Sequence, residues 1–319
     1  MTPRNDGRLL ANLVFEPALE VVDEERLDEV VAAIPEGAVD LEVYVGNMRS
    51  DPMSYNRSFF SQIEESLARR CVVLPVRFGF ELGETGFFGG GALEVGGHLR
   101  VYESALFTSF LTTFCFGMMA LAGYGDEPLG FKDRYDTEAY LSECVHNYVF
   151  LHNDYSFERG IGLLRFGVFM GEKGAQLRFA MELFALMHEV SHIILGTVDS
   201  AGIENELAAD RLGFDLFGKV FRDIDYVQGP GGVEEMIWAP LLFFYVLCYV
   251  EEFSFAVLRR ERENEGTHPG ALSRASNLWE HMRRLGYGDP SELFVRNVTA
   301  LDDAYLHMRE FGRRNPFNL

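Results

Sequence analysis

Cysteine is scarce in this chain. Cys71, Cys115, Cys144 and Cys248 are the four in 319 residues, and no two form a CxxC pair. That excludes a disulfide framework and a cysteine-built zinc site, and it fits a reducing cytosol. Positive charge is also in short supply, with 28 Lys and Arg against 49 Asp and Glu and a formal net charge of −21. So acidic a chain repels phosphate backbones and anionic lipid heads, so nucleic acid is not an expected partner. The opening MTPRNDGRLLANLVFEP contains no apolar run of signal-peptide length, and a cytoplasmic protein is the expectation.

Long unbroken apolar runs are few. ALFTSFLTTFCFGMMALAG (105–123) is interrupted by Thr108, Ser109, Thr112 and Thr113. MIWAPLLFFYVLCYV (236–250) is short and bounded by Glu234, Glu235, Glu251 and Glu252. Neither carries the Lys/Arg-rich flank of a membrane span, so both are expected to be buried core helices. The glycine-rich GETGFFGGGALEVGGHLRVY (83–102) lacks the GxGxxG spacing of a dinucleotide loop and predicts a turn and strand, a hairpin.

What is present is apolar bulk, 48% hydrophobic residues with 28 Phe, enough for a sizeable core. Residues 1–70 predict a small α/β region, with helical spacing over 22–34, a strand at 39–45 and a helix at 58–70. A strand follows at 71–82, placed at an edge or bulge by Pro75. The remainder, 71–319, predicts a helix-rich domain with helices over 104–122, 136–150, 174–195, 203–220, 233–259, 269–285 and 290–311. Gly196 is expected to stop the third helix, Pro240 to kink the long apolar one, and Asp289-Pro290 to begin the last.

One of these helices carries the chemistry. LFALMHEVSHIILG (183–196) sets His188, Glu189 and His192 in an apolar run, where burial without partners costs several kcal/mol. Structural hydrogen bonds or a bound metal can offset that cost. Positions four apart share a helical face, so His188 and His192 can offer two imidazole nitrogens to one ion. Glu189, rotated by about 100°, sits beside such an ion without ligating it and can take the proton of an attacking water. Downstream, IENELAADRLGFDLF (203–217) places Glu206 and Asp210 four apart on one face. Glu206 is the candidate third ligand, with Glu204 as a rival. Asp210 can hold a histidine ring N–H. Ala208 and Ala209 are small enough for the two helices to pack closely. The pattern points to a Zn²⁺ site of the HExxH type. His98, His146, His152, His281 and His307 stand alone. His268, in THPGALSR just before a predicted helix, is a candidate oxyanion donor, as is an unassigned tyrosine.

HEVSH followed by ENELAAD resembles the gluzincin pattern of zinc peptidases. EEMIWAPLLFFYVLCYVEE, THPGALSRASNLW and the upstream ALEVGGHLRVYESALFTSFLTTF resemble, more narrowly, the phage-exclusion peptidase Lit family over roughly residues 90–285. The resemblance implies an α+β, predominantly helical, zincin-like core and a cytoplasmic endopeptidase acting on a cellular protein in antiviral defence. Carried over by position, His188, His192 and Glu206 would bind zinc and Glu189 would be the base. The short loop between His192 and Glu206, and Gly213 within the second helix, depart from that pattern. The rival expectations are an inactive or partner-gated zinc-binding sensor and a membrane-embedded protease.

Overall fold

A computed structural model describes residues 13–14, 54–70, 76–81, 90–95, 98–123, 172–198, 202–224, 232–258 and 269–314, with helical positions between 137 and 148. The helix and strand expected at 22–34 and 39–45, and His268, lie outside the described residues. The fold is a helical α+β arrangement: one small mixed sheet and a set of helices around a central one.

The sheet contains β1 (Leu13–Val14), β2 (Val76–Glu81), β3 (Gly90–Val95) and β4 (His98–Ser104), in the order β1-β2-β4-β3. β3 and β4 form the expected hairpin, antiparallel with Val95 opposite His98. β2 runs parallel to β4, with Val76 opposite Leu99. The expectation of an edge position for β2 needs correction, because β1 pairs with it at Phe80 and Glu81.

Helix α1 (Ser54–Arg69) packs on β2 and buries Phe59, Phe60, Ile63 and Leu67. Asp223 ties it to a distant turn, accepting from Ser66 Oγ at 2.6 Å and from Arg70 at 2.8 and 3.0 Å. Helix α2 (Ala105–Leu121) buries Phe107, Phe110 and Phe114 inside the protein. Phe110 stacks on Tyr148, with ring centroids 4.4 Å apart.

Helix α3 (Glu172–Leu195) is the hub, touching α2, β3, β4 and every helix that builds the site. Burial on almost every side explains a sequence that is apolar nearly all round. Its stop is a Schellman motif. Gly196 adopts φ 66°, its N–H donates to the Ile193 carbonyl, and the Thr197 N–H donates to the His192 carbonyl at 2.8 Å.

Helix α4 (Ile203–Val220) returns antiparallel to α3, with His188 beside Asp210 and His192 beside Glu206. The predicted kink at Pro240 is a full break. Short α5 (Gly232–Met236) gives way to a turn at Ile237 and Trp238, and α6 (Ala239–Leu258) begins one residue before the proline. There the missing N–H falls in the first turn, where no intrahelical partner exists. The stretch Gly232–Phe253 is long and apolar enough to cross a membrane, yet most of its most apolar window is buried within the protein.

Helix α7 (Ala271–Arg284) lies along α4, and α8 (Glu292–Arg314) packs on α6. The last helix does not begin at Asp289-Pro290. Ser291 caps it, its hydroxyl accepting the Phe294 N–H at 3.3 Å and its carbonyl the Val295 N–H at 3.1 Å.

Candidate metal centre

Two helices supply the donors and a third closes over them. His188 and His192 occupy adjacent turns of α3, and Glu206 lies in the first turn of α4. All three are buried, at 7%, 8% and 6% exposure, so their charges and lone pairs must be satisfied inside the protein. Glu204, the rival carboxylate, is exposed on the outer face of α4.

The donor atoms converge. His188 Nε2 and His192 Nε2 are 3.1 Å apart. The Glu206 carboxylate presents Oε2 to His188 and Oε1 to His192, each at 3.5 Å. Bonds of about 2.0–2.1 Å in a tetrahedral arrangement separate ligand atoms by about 3.3 Å. The three separations bracket that value, and the group could hold a metal ion.

The other ring nitrogens are already committed. His188 Nδ1 is 2.9 Å from Asp210 Oδ1, a buried carboxylate that can only accept when ionised. His192 Nδ1 is 2.9 Å from Thr197 Oγ1, whose own proton is turned to the His192 carbonyl at 3.4 Å. Each Nδ1 therefore donates, and both Nε2 lone pairs face one another and Glu206. Lone pairs converging at 3.1 Å repel unless a cation lies among them. Burial and Arg274 push the His188 pKa down, but hydrogen bonds to Asp210 and Glu206 win and raise it to about 9. His192 is held neutral, its pKa lowered to about 4 by burial and by His188.

Glu189 is half-buried one residue along the helix, and no hydrogen bond joins its carboxylate to another described residue. Burial raises its pKa, and the nearby Glu206 and Asp210 add to the rise, against the pull of His188 and Arg274. A carboxylate so placed, beside the donor atoms and with its pKa raised, suits proton transfer.

Three contributors carry no signature in the motif. Arg274, on α7, forks onto Asp210, with Nη2 2.6 Å from Oδ1 and Nε 2.9 Å from Oδ2. Its Nη2 is 3.3 and 3.4 Å from the two nitrogens of His188. Nη2 thus rests against the His188 ring, midway between its two nitrogens. Its Cζ lies 4.8 Å from the centre of the Phe244 ring. Thr197 was hidden because it acts through the helix stop. Gly213, set down above as a departure, is where α4 presses on α3: a Cβ there would meet the His188 Cα at 3.0 Å and its N at 3.1 Å. Only Gly allows that approach without displacement. THPGALSR drew notice for His268, yet its Arg274 is the residue seen to reach the site.

Further ties hold α7 to α4 in step along their length. Arg211 Nη1 donates to Asn277 Oδ1 at 2.7 Å, and Asn277 Nδ2 donates to the Leu207 carbonyl at 3.2 Å. His281, expected to be a satisfied histidine outside the motif, pairs with Asp215 at 2.9 Å.

No protein-family model, no curated protein and no solved structure matches this chain.

Proposed function

We propose that the chain is a zinc-dependent endopeptidase with a zincin-like, gluzincin-type core, acting on a peptide bond of a cellular protein in the cytoplasm. The observation that carries the proposal is the convergence of both Nε2 atoms and the Glu206 carboxylate, with each Nδ1 already donating elsewhere. Charge supports a divalent ion. Glu189, Glu206 and Asp210 bring three negative charges when ionised against the one positive charge of Arg274, so a dication leaves the buried cluster neutral. Two imidazoles and a carboxylate are a donor set that suits zinc and leaves a position for substrate.

Bound there, zinc supplies Lewis acidity, polarising a scissile carbonyl and acidifying water. The protein does the rest. His188 and His192 are held in the tautomer that aims Nε2 inward, by Asp210 and Thr197 respectively. Glu189 accepts the proton of the attacking water and returns it to the leaving amine nitrogen. The phage-exclusion setting comes from the resemblance to the Lit family, and the oxyanion role of His268 is part of that proposal.

The test is Glu189→Gln. It should keep the metal while cleavage falls by roughly 10²–10⁴-fold, the usual worth of a general base. Comparing new protein N-termini in cells expressing wild type or this variant identifies the target. Wild-type turnover in Glu189→Gln contradicts the assignment of the base.

A further inference from the structure

We infer that Arg274 is a positioning residue for the metal centre, acting on the His188 ring through Asp210. The inference rests on the proposed metal site and adds to it a third helix and a specific chemical requirement, a planar guanidinium. Asp210 is fully buried and takes the His188 Nδ1–H on Oδ1. A lone carboxylate has rotational freedom about its last bond. Arg274 removes that freedom by engaging both oxygens at once, at 2.6 and 2.9 Å, in a fork a point charge cannot reproduce. The same guanidinium rests against the His188 ring and lies over Phe244. The His188 ring is thus held, through Asp210 and by direct contact, by one side chain from α7, 86 residues along the chain.

The position of α7 is itself secured. The Glu251 carboxylate of α6 accepts the Ala271 N–H at 3.1 Å from each oxygen, at the start of α7. Asn277 and His281 fasten its later turns to α4. Arg274 is therefore delivered to Asp210 by a helix fixed at both ends, as expected of a residue that orients another.

The experiment is a double-mutant cycle on the full chain, read by affinity for Co²⁺ in competition with a chelator and by the visible spectrum of the Co²⁺-loaded protein. Arg274→Met should weaken Co²⁺ binding about 10–100-fold, the range for loss of a residue that orients a ligand. It should also alter the spectrum, because the His188 ring turns. Arg274→Lys should fail to restore either, for want of the fork. In the Asp210→Asn background, Arg274→Met should cost clearly less than in the wild type, because only its direct contact with the His188 ring remains. That double variant removes both charges of the Asp210–Arg274 pair together, so it reports even if Arg274→Met alone folds poorly. Unchanged affinity and spectrum in Arg274→Met, full rescue by Lys, or additive losses in the cycle overturn the inference. A wild-type chain that binds neither Co²⁺ nor Zn²⁺ overturns the metal site beneath it instead.

Discussion

Gly213 rests directly on the backbone of His188, with no room between them for a single methyl group. The spacing of α3 and α4 at His188 and Glu206 is set by this contact, because backbone cannot swing aside as a side chain does. Gly213→Ala gains about 1 kcal/mol of helix propensity. It also overpacks the contact, which typically costs about 1–3 kcal/mol. The expected result is a lower melting temperature in chelator, together with weaker zinc binding as Glu206 is drawn away from the histidines. Calorimetry and chelator competition measure the two effects. A variant more stable than wild type with undiminished affinity would show that the contact does not set the spacing.

Thr197 connects the end of α3 to the chemistry. The Schellman motif at Gly196 brings the Thr197 hydroxyl to His192 Nδ1. Thr197→Val keeps the shape and leaves that N–H without its acceptor, at about 1–2 kcal/mol. Zinc affinity should fall about tenfold, and Thr197→Ser should recover most of it. Equal affinity in the Val variant would remove Thr197 from the site.

The pH dependence of stability should differ between the metal-free and metal-loaded chains. Although burial pushes the Asp210 carboxyl up, Arg274 and His188 bring it down to about 2, from 3.8. Its stabilising effect is present above about pH 4 and is lost as pH falls toward 2. The His188 pKa is raised from 6.5 to about 9, despite burial and Arg274, so its contribution is full below 6.5 and is lost as pH rises through 9. A metal bound by His188 would compete with that proton. The gain in melting temperature on adding zinc should therefore widen from pH 6.5 to 9. Thermal unfolding with zinc or with chelator measures it. A gap that is constant or narrows would contradict proton–metal exchange at His188.

The parts legible in the sequence were those set by local periodicity. α4 falls on the expected 203–220, and α3 begins two residues before its expected start. The four-residue spacings His188–His192 and Glu206–Asp210 put each pair on one face before any packing is known. What the sequence could not reveal was partnership across distance. Arg274 meets Asp210 from 64 residues away, and nothing local distinguishes it from an exposed arginine. The parallel pairing of β2 with β4 across the intervening β3 likewise depends on tertiary contacts. At the start of α8 two local signals competed, Asp289-Pro290 and Ser291, and the serine hydroxyl closer to the helix took the cap.

The measurement that bears most directly on the central claim is the metal content of the freshly purified full chain, beside His188→Ala, Glu206→Ala and Glu189→Gln. The account predicts one zinc ion per chain in wild type and Glu189→Gln, and little or none in the two ligand variants. A folded wild-type chain that carries no divalent metal and takes up none on dialysis against zinc would contradict it.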